Sequence, residues 1–239
     1  MPEELGEIIN NLKNVNEESF GDLKIYKGFW RGNNNNYILI SLAWSGWGKV
    51  SAARAATRLI STNKKNKLDF LVFTGVAGAM KKDLNQWDII IADSVIQHDM
   101  DARPFFDKFV IPSLGEKFLK PPISLNNDFY NAIKKQSNLK KNWIFGNVKK
   151  GTIGTGDMFI SDDKKIESLL NQIPDLLAIE MEGAAVAQVA CQEKVDWALL
   201  RVISDGADSS ASEDFPKFLE NYKKHSWDLI ESYLNYIST

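Results

Sequence analysis

The chain has 239 residues, enough for one large domain or two small ones at about 150 residues per domain. Hydrophobic residues make up 44% and charged residues 25%, which excludes a disordered tail or a coiled coil and provides for a real core. With 29 basic and 31 acidic residues, a formal net charge of -2, the chain has no general attraction for phosphate backbones or anionic lipid, so neither nucleic acid nor membrane is an expected partner. The single cysteine, Cys191, cannot close an internal disulfide, and no apolar run approaches the roughly 20 residues of a membrane span. The opening Met1-Pro2-Glu3-Glu4-Leu5 lacks the basic and apolar segments of a signal peptide. These features lead us to expect a cytoplasmic protein in a reducing compartment.

Residues 22 to 31 and 37 to 44, rich in aromatic and β-branched side chains and separated by Gly32 and an Asn run, predict a hairpin with an exposed turn. From Gly48 the pattern changes. Ala52, Ala55, Ala56 and Leu59 recur on one helical face, predicting a helix that ends near Ser61-Thr62-Asn63. Continuous apolar runs at 69 to 76 and 88 to 96 suit strands buried on both faces. Residues 100 to 125, rich in Pro and Phe, form the least regular stretch, and long loops inside a compact domain are commonly lids or contact surfaces. Further strands are predicted at 143 to 148, 176 to 181 and 197 to 204, and helices at 127 to 137, 162 to 171, 182 to 193 and 214 to 236. The last presents Phe215, Phe218, Leu219 and Tyr222 on one face. Strands alternating with helices predict an α/β fold, a mixed sheet flanked by helices, in one domain spanning residues 1 to 239.

In α/β sheets ligands bind beyond the carboxyl ends of strands, so residues where apolar runs stop carry the chemistry. Thr74-Gly75-Val76-Ala77-Gly78 is either a plain turn or a close backbone approach to a ligand. Glu180 and Glu182 flank Met181 ahead of an Ala-rich helix. They either complement its dipole, for about 0.3 to 1 kcal/mol, or grip sugar hydroxyls by charge-assisted hydrogen bonds. Arg201 lies inside an apolar strand ending in Ser204-Asp205 and needs a partner if buried. Gly154-Thr155-Gly156-Asp157-Met158-Phe159-Ile160 leads to an aromatic that belongs to the core or stacks on a flat ring. Two histidines, His98 and His225, exclude a three-His zinc site, and there is no nucleophile elbow, phosphate loop or dinucleotide fingerprint.

In this order and spacing, Ser45-Gly46-Trp47-Gly48-Lys49-Val50, TGVAG at 74 to 78, GDMFI at 156 to 160, IEMEG at 179 to 183 and RVISDGAD at 201 to 208 resemble the 5'-methylthioadenosine/S-adenosylhomocysteine nucleosidases of the nucleoside phosphorylase superfamily. The resemblance covers nearly the whole chain. It implies a three-layer α/β sandwich and irreversible hydrolysis of the N-glycosidic bond of methylthioadenosine, S-adenosylhomocysteine and 5'-deoxyadenosine. It implies no metal and no organic cofactor. Adenine leaves readily only once N7 is protonated, and water captures the oxocarbenium-like ribose, so an acid and a base are expected across the bond, as in inverting glycosidases. Asp205 matches the acid, which requires a raised pKa, and Glu4 the carboxylate that activates water, with Arg201 beside it.

Glu182 and Met181 match the ribose-holding residues, Phe159 the aromatic that stacks on adenine, and Ile160 the main chain that reads the base edge. Ala77, Gly78, Glu180 and Ser204 complete the implied substrate-binding set. Phe215 and, from a neighbouring subunit of a homodimer, Phe105 match the apolar wall around the alkylthio group. Two departures stand out. The family has a short β-strand before the acidic segment that here begins at Met1, so a first strand is expected to be missing and the natural chain to extend upstream. Trp47 replaces a small aliphatic residue near the 5'-substituent. The rival readings are a phosphate-dependent purine nucleoside phosphorylase and a non-catalytic nucleoside-binding or interaction protein.

Overall fold

The computed structural model describes residues 8–32, 35–63, 68–206 and 211–238. After a short 3-10 turn at Ile9–Asn11, strands β1 (Lys13–Phe20), β2 (Leu23–Arg31) and β3 (Tyr37–Ala43) form an antiparallel sheet. Ile25 faces Ala43 and Arg31 faces Tyr37 across the expected hairpin. β1 was not expected, because its Lys-, Asn- and Glu-rich sequence is exposed over most of its length and carries no apolar alternation. It forms by pairing with β2, Phe20 opposite Leu23.

Helix α1 (Lys49–Thr62) leads into β4 (Phe70–Ala79) and β5 (Ile89–Gln97). Then come α2 (Ile123–Leu139), β6 (Val148–Thr155), α3 (Asp163–Gln172), β7 (Leu176–Glu180), α4 (Gly183–Glu193), β8 (Asp196–Asp205), α5 (Ala211–Tyr222) and α6 (Ser226–Ile237). Strands β4 to β8 make a mixed sheet in the order β4-β7-β6-β5-β8 that closes on itself through β8 and β4. β4 runs parallel to β8 along most of its length. It meets β7 only at Gly78 and Ala79, opposite Ile179 and Ala178, so the ring shuts at the carboxyl end of β4.

Both faces of this sheet are covered, and the apolar runs show it by alternation. Ile90, Ala92 and Leu199 pack with the alanines of α1 and α4, whereas Ile89, Ile91, Ala198 and Leu200 pack with α2, α5 and α6. Side chains alternate sides along a strand, so a continuous apolar run supplies two cores at once. Where α2 meets α6, Phe129 and Tyr233 stack with ring centroids 3.8 Å apart. The result is the expected α/β fold with a central mixed sheet flanked by helices. β3 and β4 are not paired with each other among the described residues. Between them lies an apolar cavity of about 360 Å³ lined by Ile38, Ile40, Phe73 and residues of α1 and α6.

Two predicted elements are corrected. Of the aromatic run predicted as a strand at 143 to 148, residues 143 to 147 are a loop and only Val148 belongs to a strand. Trp143 and Phe145 bury their rings against each other, and Phe145 also meets Trp87; the Asp88 carboxylate accepts the Asn147 N–H at 2.7 Å. The strand starts at Val148 and pairs with β5 and β7, and Gly151 and Gly154 let the Leu177 and Leu176 side chains approach where a Cβ would clash. The predicted helix 214 to 236 is two helices. Lys223 and Lys224 are exposed and offer no face to bury, so α5 ends on β8 and α6 restarts along α2.

Candidate active site

The strand ends meet in one cleft. β4 brings Val76, Ala77 and Gly78, β7 brings Ile179 and Glu180 and leads to Met181 and Glu182, and β8 brings Arg201, Ser204 and Asp205. The loop leaving β6 supplies Met158, Phe159 and Ile160, the turn before α1 supplies Ser45, Gly46 and Trp47, and Phe215 of α5 adds an aromatic.

The floor is an ion pair that the sequence could pose but not solve. Arg201 is 1% exposed, and its Nη2 lies 2.5 Å from Oε2 of buried Glu180. The guanidinium also lies 4.3 Å from the centroid of Phe73. Glu180 accepts the N–H groups of Glu182 at 3.1 Å and Gly183 at 2.8 Å and a short hydrogen bond from the Thr155 hydroxyl. Thr155 in turn accepts the Ala184 N–H at 2.8 Å. Burying a charged pair is tolerable only when its remaining lone pairs are satisfied in this way. Glu180 thus serves the start of α4, whose own N-cap residue provides no side-chain bond, while its neighbour Glu182 turns toward the cleft. The two acids around Met181 divide the two readings their sequence allowed.

Glu182 Oε1 accepts the N–H of Gly48 at 2.8 Å. That amide points inward because Gly46 and Gly48 have φ of +76° and +83°, a region in which glycine carries no penalty. Trp47, between them, is held at the mouth and is 52% exposed.

At the other end, Ser204 Oγ donates to Asp205 Oδ2 at 2.5 Å and lies 3.3 Å from the Ala77 carbonyl. A hydroxyl has one hydrogen, and the shorter contact fixes it on Asp205, so Ser204 holds one oxygen of a carboxylate that lines the cleft. Phe159 is 45% exposed and Ile160 buried, leaving the Phe159 ring as an open aromatic face.

Of the residues singled out from sequence, Trp47, Ala77, Gly78, Phe159, Ile160, Glu180, Met181, Glu182, Arg201, Ser204, Asp205 and Phe215 converge here. Phe105 does not line this cleft. It is 87% exposed on the loop between β5 and α2. Glu4 lies outside the described residues. Phe73 was missed, although it stands four residues before Ala77 on the same strand face and the period of two would have found it. Val76 and Met158 also line the cleft; they stand inside the motifs at 74 to 78 and 156 to 160 but were given no role there, because an apolar side chain does not announce which ligand it touches. Among the described residues no group of three or more His, Cys, Asp or Glu could hold a metal ion, and no helix is long and apolar enough to cross a membrane.

Comparison with known proteins agrees with this geometry. The family model described as Phosphorylase superfamily matches residues 1–235. A 5'-methylthioadenosine/S-adenosylhomocysteine nucleosidase of Bacillus velezensis is 33% identical over 231 residues, covering 96% of this chain and 93% of that protein. The crystal structure of the nucleosidase of the same name from Neisseria meningitidis, in complex with methylthio-immucillin-A, has a TM-score of 0.85 at 26% identity and covers 98% of this chain and 95% of that one. A futalosine hydrolase of Helicobacter pylori has a TM-score of 0.84 at 30% identity, with 98% and 94% covered. The chain belongs to the phosphorylase superfamily and, within it, to the 5'-methylthioadenosine/S-adenosylhomocysteine nucleosidases.

Proposed function

We propose that this chain is an N-glycosyl hydrolase that cleaves 5'-methylthioadenosine and S-adenosylhomocysteine, and also 5'-deoxyadenosine, to adenine and the 5-substituted ribose. The observation that carries this reading is the placing of Asp205, Phe159 and Glu182 in one cleft. Asp205, with one oxygen held by Ser204, protonates N7 of an adenine stacked on Phe159, whose edge meets the Ile160 main chain. The N-glycosidic electrons leave with the base. The ribose, its hydroxyls bridged by Glu182 and its ring packed on Met181, accepts water at C1'. Glu4 takes the proton from that water, and Arg201 orders the surrounding groups through Glu180. Ala77, Gly78 and Phe215 line the remaining walls. We assign residues 1 to 239 to one domain acting in the cytoplasm.

The same reading supplies the second subunit. Phe105, Phe106, Phe118 and Ile123 are exposed apolar side chains of one loop and the helix start after it. Exposed apolar residues recurring along one stretch of chain suit an interface between copies. We place Phe105 against the alkylthio group in the neighbouring cleft of a homodimer. Phe105→Ser is expected to weaken the dimer in sedimentation and raise KM for methylthioadenosine; a monomeric wild type of full activity would refute the arrangement.

Phosphorolysis is disfavoured by the lining itself. Arg201 is the one basic side chain among the described cleft residues, and Glu180 holds it, so nothing there gathers a phosphate dianion. The futalosine hydrolase likeness makes futalosine a necessary competitor in the assay. The test is release of the free purine base, adenine from the adenine nucleosides and hypoxanthine from futalosine, by wild type and by Asp205→Asn. Wild type is expected to prefer the thioethers, and the variant to lose about 100-fold or more in kcat. Near-normal turnover by Asp205→Asn would remove that residue from the chemistry, and preference for futalosine would reassign the substrate.

A further inference from the structure

The amino end of α1 lacks a cap of its own. Gly48 stands at the N-cap and contributes no side-chain bond, yet the first helical N–H groups must find acceptors. Two carboxylates from elsewhere in the chain provide them. Glu182 takes the Gly48 N–H, and Asp157, in the loop that carries Phe159, takes the Lys49 N–H at 2.7 Å. Negative charge at a helix start is also favoured by the helix dipole.

Outside the cleft a third segment ties these two together. Asp99, just past the end of β5, accepts from Lys49 Nζ at 2.7 Å through one oxygen and from the Asp157 N–H at 3.0 Å through the other. Lys49 Nζ lies 3.9 Å from Asp157 Oδ2, which closes a triangle of charges. Lys49 and Asp99 side chains are 19% and 25% exposed, so the pair is partly shielded from solvent and less screened than a surface pair. The fit is tight, since a Cβ on Gly48 would stand 3.0 Å from Asp157 Oδ1.

From this juxtaposition we infer that Lys49, Asp99 and Asp157 form a latch, made of positioning residues, that fixes the distance between Trp47 at the mouth and Phe159 on the base side. Neither ring is packed well enough to hold itself, both being about half exposed. Each lies within two residues of a latch member. The latch therefore sets the width of the slot into which the nucleoside slides, and its effect falls on binding rather than on the proton transfers at Asp205. This step rests on the proposed nucleosidase reading, but the latch itself is testable without turnover.

The experiment combines backbone hydrogen exchange with steady-state kinetics on Lys49→Met, Asp157→Ala and Asp157→Asn. Lys49→Met is expected to speed exchange at the amides of Asp157 and Met158, although it removes nothing from that loop's backbone. Asp157→Ala is expected to raise KM for methylthioadenosine about tenfold with kcat within about threefold. Asp157→Asn, whose side-chain oxygen still accepts the Lys49 N–H, should recover most of that loss. Exchange confined to the mutated segment would overturn the latch. Coupled exchange with an unchanged KM, or an equal fall in kcat without rescue by Asn, would overturn its part in binding. A wild type that releases no adenine would sink the nucleosidase reading alone, with the exchange result still deciding the latch.

Discussion

His98 shows how a single side chain behind the cleft links acidity to stability. It is buried, its Nε2 has no partner among the described residues, and its ring sits where a Cβ on Gly156 would be 2.3 Å away. Burial pushes its pKa below the ordinary 6.5, opposed by Asp99 and Glu180 and reinforced by Lys49. The unfolded chain therefore binds a proton that the folded chain refuses once pH falls below about 6.5. Stability is full above that pH and declines as pH falls toward the lowered folded value. The melting temperature is expected to drop between about pH 7.5 and pH 5.5, with a shallower slope in His98→Gln; identical slopes in both proteins would contradict this assignment. The Asp99 pKa is lowered as well, for a different reason. Burial alone would raise it, but the hydrogen bonds from Lys49 and the Asp157 N–H and the Lys49 charge outweigh burial and leave it below 3.8, so its carboxylate stays charged throughout this range. Residues of this kind were the hardest to see in the sequence. Glu180 and Glu182 looked equivalent two positions apart, and only the fold shows that one is spent on Arg201 and the α4 amides while the other reaches the cleft.

Secondary-structure elements were legible where burial and periodicity coincide. The runs behind β4, β5, β7 and β8 are apolar on both faces because helices cover both, and α1 and α4 announce themselves by alanines that pack face to face. Elements whose reason lies elsewhere were not legible. β6 reads as polar and glycine-rich, yet it pairs on both edges, and its glycines admit the leucines of β7. β1 exists because β2 offers a hydrogen-bonding edge, which is a tertiary fact. The break between α5 and α6 follows from two helices needing different supports, one on β8 and one on α2. The site escaped most of these errors, since its residues sit at strand ends, and strand ends were placed to within a few residues wherever the strand itself was found.

Across the whole molecule, the closure of the sheet is the feature that the alternating pattern did not disclose. A mixed sheet flanked by helices was expected, but the meeting of β4 and β7 at Gly78 and Ala79 brings Ala77 and Gly78 beside Glu180 and lets four strand ends share one cleft. That cleft has an aromatic face and the carboxylates of Asp205 and Glu182, and its one basic side chain among the described residues is bound to Glu180. An active site so lined should use water and not phosphate as the nucleophile. The decisive measurement is to give the purified protein methylthioadenosine in buffers with and without inorganic phosphate and to identify the sugar product. The account predicts adenine and free 5-methylthioribose at the same rate in both; a rate that depends on phosphate, with the sugar recovered as its 1-phosphate, would contradict it.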